Sequence, residues 1–407
     1  MNLRILLNSM EDVSLSAYKI IKLKKNIVKR IIQDGEATIA ELSKETNFSV
    51  PTVTKAIGEL AEEGIVLNVG ESRLAGGRNA KRFGVNPDAG YYLGVEVNRD
   101  SVNIGIQDFT NRFIYHEESI LYKLENKKES LDSLCLIINN AIHNSKISSE
   151  KIIGAIVTLS GRIDSRKGYS YNYFFFEEKP LTEIIESKIH IKTFLENDSR
   201  AMAYGEYNCG VVNKEKNVIF VNLCWGVGTA IINNGNLIYG HSGFAGEFGH
   251  SPVFNNEIIC HCGKKGCLET EISGFALERK FKEALKKGSK SILSLSKEME
   301  DITLYDVLQA IKAEDVLAIE ITHEIGYKLG RYLSILVNIF NPELVILGGI
   351  LAETRNHIQL PVKSALQKYS LRLVNQDMEL KMSALGSKAG LCGACYILRD
   401  RFLNVIN

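Results

Sequence analysis

Ile27, Val28, Ile31 and Ile32 recur at helical spacing, and Asp34-Gly35 stops the run. A shorter helix is predicted over Thr38 to Glu45, with Ile39 and Leu42 inward. Thr46-Asn47-Phe48 makes a tight turn, and Ser49 stands where an N-cap belongs. Pro51 then falls in the first turn of a third helix, where its missing N–H costs little. In that helix Val50, Val53, Ile57 and Leu60 are expected to face inward, leaving Thr52, Thr54, Lys55 and Glu59 outward. Ile65 to Val69 and Arg82 to Val85 read as short strands around a glycine-rich tip. Two short helices after a longer one, closed by such a hairpin, predict a winged helix-turn-helix over residues 1–87.

The turn cluster Asn86-Pro87-Asp88-Ala89-Gly90 is the expected linker, and beyond it the pattern changes. Tyr91 to Val97 and Val102 to Gln107 alternate as a β-hairpin, and Leu131 to Asn144 is helical. Ile152 to Leu159, Val218 to Leu223, Thr229 to Ile232 and Leu344 to Leu347 are apolar runs of strand length, the last after a helix ending near Phe340. Residues 88–407 are therefore a mixed α/β unit. The most apolar stretch, Tyr332 to Leu351, is interrupted by Ser334, Asn338, Asn341, Pro342 and Glu343, so no membrane segment is expected.

A chain of 407 residues is long enough for two or three domains, and 45% hydrophobic with 24% charged residues excludes a disordered or fibrous protein. A net charge of +1 names no partner, but residues 1–87 hold 13 Lys+Arg against 10 Asp+Glu. The tip from Arg73 to Arg82 carries four basic residues and no acid. Outward Thr52, Thr54 and Lys55 can reach base edges and phosphates in a major groove, and Arg78 suits a narrow minor groove. Double-stranded DNA is the expected partner. With one recognition helix per chain, a homodimer or higher homo-oligomer on an inverted repeat is expected. The alternative for this domain is a helical protein-interaction module with a solvated basic face.

Eight cysteines are too few for a disulfide scaffold, and with no leader pattern at Met1–Met10 the expected location is the cytoplasm. Cys135, Cys209 and Cys224 are isolated and expected to be buried, and Cys392 and Cys395 to be packing residues of an apolar C-terminal helix. The series His250-x9-Cys260-x-Cys262-x4-Cys267 is different. Three thiolates and an imidazole fill a tetrahedral, structural zinc shell. His261 could replace His250 as the fourth ligand.

The run from Leu223 through Gly226, Gly228, Ala230, Gly240 and Gly246-Glu247-Phe248-Gly249-His250 to Cys267-Leu268-Glu269 resembles the signature of the ROK family of repressors and sugar kinases. The resemblance covers about residues 88–407, and the winged helix in front matches the repressor branch. It implies an actin-like ATPase fold with two lobes, about 88–207 plus the C-terminal helix and about 208–392. A monosaccharide or sugar phosphate would bind in the cleft between them. By the same resemblance Asn197, Asp198, Glu247, His250 and Glu269 contact the sugar, Asp198 standing at the position of the kinases' general base. Asn172 matches a further contact position, although its flanks depart from the family's run.

The family's kinases begin with a phosphate loop Asp-x-Gly-x-Thr, where this chain reads Glu96-Val97-Asn98-Arg99-Asp100. A carboxylate at Asp100 repels phosphate, and Cys224-Trp225 precedes Gly226 where the kinases favour small residues. The expectation is a sugar-responsive DNA-binding repressor without enzymatic activity. The alternatives are an ATP-dependent sugar kinase carrying a DNA-binding domain, and a scaffold that binds neither.

Overall fold

The computed structural model describes residues 14–73, 79–295 and 297–403. The chain opens with helix α1 (Leu15–Asp34), capped by Ser14 and ended at Gly35 with φ 82°. Strand β1 (Glu36–Thr38) leads into α2 (Ile39–Thr46), whose start is fixed by a capping box between Thr38 and Glu41. Asn47 turns left-handed, and Ser49 caps α3 (Val50–Glu62) with Pro51 in its first turn. Strands β2 (Val66–Arg73) and β3 (Asn79–Val85) pair antiparallel, and β1 adds to the outer side of β3. This is a winged helix-turn-helix. Leu23, Ile27, Ile31, Leu42, Val53, Ile57 and Leu60 form its core. The Leu74–Arg78 tip, and with it Arg78, lies outside the described residues.

Val50 departs from the pattern expected for α3. It is 52% exposed, because as the first residue of the helix it precedes the turn in which Val53 and Ile57 reach the core.

The Asn86 turn is ordered by backbone and side-chain bonds. Asn86 donates its N–H to the Ile65 carbonyl at 2.9 Å and its amide to the Gly64 carbonyl at 2.7 Å. On the far side the Phe109 N–H reaches the Pro87 carbonyl at 3.1 Å.

The chain divides into two compact units. One takes the segments up to Leu159, Lys167–Leu195, and from Ala394 on. Its main sheet runs β10-β7-β4-β5-β6, from β4 (Tyr91–Val97), β5 (Ser101–Asp108), β6 (Phe113–Leu121), β7 (Ile152–Leu159) and the first part of β10 (Thr193–Asn197). β4 pairs antiparallel with β5 and parallel with β7. β4 is buried along its whole length, as a strand covered on both faces must be.

The other unit comprises Ser160–Arg166 and Glu196–Gly393. Its sheet runs β13-β12-β11-β14-β15, from β11 (Val218–Leu223), β12 (Val227–Asn233), β13 (Asn236–Leu237), β14 (Leu344–Gly348) and β15 (Glu379–Met382). This unit also holds the short strand β8 (Ile163–Asp164), whereas β9 (Tyr169–Ser170) belongs to the first. Val221, Leu223, Val345 and Leu347 pack with Leu268, Phe281 and the long helix Val316–Phe340. Among the described residues no helix is long and apolar enough to cross a membrane.

Cys135, Cys392 and Cys395 are buried, as expected of packing residues, but Cys209 is exposed and Cys224 only half-buried. Cys209 ends the helix Asp198–Cys209, so its thiol lies over the last turn and donates back to the Gly205 carbonyl at 3.3 Å.

Candidate functional site

Asn197 and Asp198 sit where β10 becomes the helix Asp198–Cys209. Asn197 is the N-cap: its Oδ1 accepts the Arg200 N–H at 3.1 Å, satisfying one of the helix's open donors. Its Nδ2 donates to the Gly161 carbonyl at 3.1 Å and to Asp198 Oδ1 at 2.9 Å. Asp198 Oδ1 also accepts the Ser199 N–H at 2.7 Å and its hydroxyl at 3.2 Å. Three donors from two residues, Asn197 and Ser199, therefore converge on one oxygen. Burial pushes the Asp198 carboxyl up to about 6, against the lowering effect of the Ser199 bonds.

The residues on either side lock this corner. Glu196 and Arg200, both buried, pair at 2.7 Å through Arg200 Nε and Glu196 Oε1. The same Oε1 accepts the Asn197 N–H at 2.8 Å and the Ser165 hydroxyl at 2.9 Å, while Tyr239 donates to Oε2 at 3.1 Å. Arg200 Nη1 reaches the Gly243 carbonyl at 2.8 Å, and its guanidinium lies 5.1 Å above the Tyr239 ring. Neither residue stands out in the sequence as part of the site. An acid and an arginine four apart across a strand-to-helix junction were the available signal.

Glu247, His250 and Glu269 form a second group. Glu247 caps and His250 ends a short turn of 3-10 helix, with His250 Nε2 3.6 Å from Glu247 Oε2. His250 Nδ1 faces the other way, 3.5 Å from both Cys260 Sγ and Glu269 Oε1. Glu269 is buried, and its Oε1 also accepts from the Cys260 thiol at 2.8 Å and lies 2.9 Å from His261 Nδ1. Burial alone would raise its carboxyl, but the bonds from His261 and Cys260 hold it below the usual range. The Glu269 carboxylate in turn holds the His261 imidazole above its ordinary value.

The turn between β11 and β12 bridges the two groups. Val227 donates its N–H to Glu269 Oε2 at 3.3 Å. One residue on, a Cβ at Gly228 would lie 2.0 Å from Ser199 Oγ and would push that hydroxyl off Asp198. Gly246 has φ 97° and a Cβ there would strike the Thr229 carbonyl at 2.0 Å, which is why the loop carrying Glu247 needs glycine.

His250, Cys260, Cys262 and Cys267 place four ligand atoms within 4.8 Å of one another. Cys262 and Cys267 Sγ are 3.6 Å apart and His250 Nδ1 is 3.5 Å from Cys260 Sγ, the edges expected of a tetrahedron with ~2.0–2.3 Å bonds. The donor set can hold a metal ion. His261 belongs instead with His250 and Glu269 in an overlapping group of three.

Thr52, Thr54 and Lys55 are all exposed on α3. Asn172 is half-buried just after β9. Glu96, near the end of β4, is buried and accepts from Asn103 at 2.8 Å, and Asn98 closes the turn by donating to the Ser101 carbonyl at 2.8 Å.

A mixed α/β module with this signature loop, following a winged helix-turn-helix, defines a class of protein. Residues 92–401 match the ROK family, and the chain belongs to it. Residues 22–66 match a winged helix-turn-helix DNA-binding family.

The chain is similar to the xylose repressor of Bacillus subtilis (strain 168), 27% identical over 384 residues that span 94% of this chain and 96% of the relative. It is similar to the DNA-binding transcriptional dual regulator NagC of Escherichia coli (strain K12), 26% identical over 384 residues and 93% of each chain. A solved ROK family transcriptional regulator, homologous to the E. coli MLC protein, shares the fold with a TM-score of 0.79 at 23% identity, over 95% of this chain and 98% of that one. A ROK family glucokinase from Streptomyces griseus, solved with glucose and AMPPNP, gives 0.67 at 25% identity, over 76% of this chain and 99% of the kinase.

Proposed function

We propose that this protein is a sugar-responsive transcriptional repressor whose affinity for an operator changes when a monosaccharide or sugar phosphate binds. One observation carries the reading. The similarity to repressors runs through the winged helix as well as the ROK module, whereas the glucokinase matches only 76% of the chain. Residues 1–87 would bind DNA and residues 88–407 the sugar, in the cytoplasm where the operator lies.

In this reading Asn197, Asp198, Glu247, His250 and Glu269 hold the sugar hydroxyls. Carboxylates and amides suit that task, since together they accept from and donate to vicinal hydroxyls. His250, Cys260, Cys262 and Cys267 hold a structural zinc that braces the loop carrying Glu247 and Glu269. Thr52, Thr54, Lys55 and Arg78 meet the DNA, as part of a homodimer or higher oligomer. Asn98 and Asp100 in the β4–β5 turn argue against phosphate binding, so no sugar is phosphorylated.

The test is fluorescence anisotropy on duplexes enriched from a random library, titrated with D-xylose, N-acetylglucosamine, glucose and their phosphates. One of them should shift the DNA affinity at least about tenfold, within the range of ordinary coupling free energies. Steady ADP release with that sugar and Mg-ATP would favour the kinase instead.

A further inference from the structure

We infer that Val50 and Thr54 form a paired apolar contact that reads thymine methyl groups, so that bases carrying a 5-methyl group are part of the operator code. The inference rests on the DNA-binding reading above and goes beyond it.

Val50 opens α3 and is 52% exposed, although the other valine and the isoleucine of that helix are buried. Thr54 lies one turn later on the same face. Its hydroxyl is already committed: Oγ1 donates to the Val50 carbonyl at 2.8 Å. A threonine bonded back to the i−4 carbonyl has spent its donor, and what it offers outward is its methyl beside an oxygen that can only accept. Ser49 and Thr52 share one hydroxyl–hydroxyl bond at 2.8 Å at the very start of the helix, which spends one of their two donors. The first turns of α3 therefore present two hydrocarbon groups side by side rather than a row of donors.

The surroundings indicate what covers this face. Glu59 and Glu63 are drawn to Lys24, Glu45 to Arg30, and Glu36 and Glu41 to Arg82. Lys44, Lys55 and Lys81 are exposed and make no ion pair among the described residues. An apolar pair on a domain that also exposes lysines outside any ion pair suits a polyanion with hydrocarbon inside its groove. Thymine is the base that puts a methyl into the major groove, where the first residues of a recognition helix reach.

The experiment uses the full chain. Duplexes are enriched from a random library without sugar and with D-xylose or N-acetylglucosamine. Each thymine of the enriched duplex is then replaced by uracil, which removes only the methyl. One or two positions per half-site should lose about fourfold in affinity, the worth of one buried methyl-sized group. Val50→Ala should erase that loss by binding both duplexes alike. Thr54→Val, which keeps the methyl, should preserve it, and Thr54→Ser, which keeps the hydroxyl, should reduce it. Indifference to uracil at every position, or full discrimination retained by both Val50→Ala and Thr54→Ser, overturns the inference and leaves the regulator reading standing. Failure to enrich any duplex overturns both.

Discussion

Glu196 and Arg200 grip each other across the two residues that the family resemblance assigns to the sugar, with Arg200 Nε 2.7 Å from Glu196 Oε1. Both side chains are almost wholly out of water, so neither can lose its partner cheaply. Arg200→Ala should therefore destabilise the fold by about 3–5 kcal/mol, the usual cost of stranding a buried charge. Urea unfolding measures it. A loss below about 1 kcal/mol would mean that Tyr239 and Ser165 hold Glu196 without the arginine.

Asp198 supplies a pH dependence whose sign can be worked out. Its carboxyl titrates near 3.8 in the unfolded chain and about 6 in the folded one. The folded state thus binds the extra proton between those values. The stability Asp198 contributes is fully present below about pH 3.8 and is lost as the pH rises through about 6. Asp198→Asn cannot ionise, so its gain over the parent should be larger at pH 7.5 than at pH 4.5 by about 1–2 kcal/mol. Equal gains at the two pH values in denaturant titrations would contradict this.

The metal loop yields a third expectation. Protein prepared without chelator should carry one zinc per chain by elemental analysis, and Cys262→Ser should lose it. Since Cys260 and His250 both touch Glu269, the same change should weaken sugar binding as well as lower the melting temperature. Zinc-free protein that binds its sugar at full strength would separate the two functions.

Lys55 tests the DNA face in another way. If it meets a phosphate, Lys55→Ala should weaken binding evenly across sequences and reduce the slope of log affinity against log salt by about one unit. An unchanged slope would move the phosphate contact elsewhere on the domain.

The winged helix was legible because its signals are local: a cap at Ser49, a proline in the next turn, a glycine stop at Gly35. The strands of the α/β units were legible for the opposite reason, as short apolar runs buried on both faces, such as Ile152–Leu159. Exposure at helix ends was not. Val50 and Cys209 have apolar side chains at the first and last positions of their helices, where periodicity alone gives no face. The Glu196–Arg200 lock was hidden because its value depends on Ser165, Tyr239 and Gly243, which the chain brings in from distant segments. The cysteine cluster was visible since its four ligands lie within eighteen residues of sequence.

The bonded turn at Asn86 has a consequence for what can travel along the chain. Gly64 and Ile65 at the base of the wing are held on one side of it, and Phe109 at the corner of the first sheet on the other. A loose tether would pass on nothing but proximity, as a rope joins two boats without steering either. A joint pinned on both sides would work as a crank: any tilt of the sheet corner would turn the wing's base with it. What such a joint carries is an angle, and its lever arm is only a few residues long.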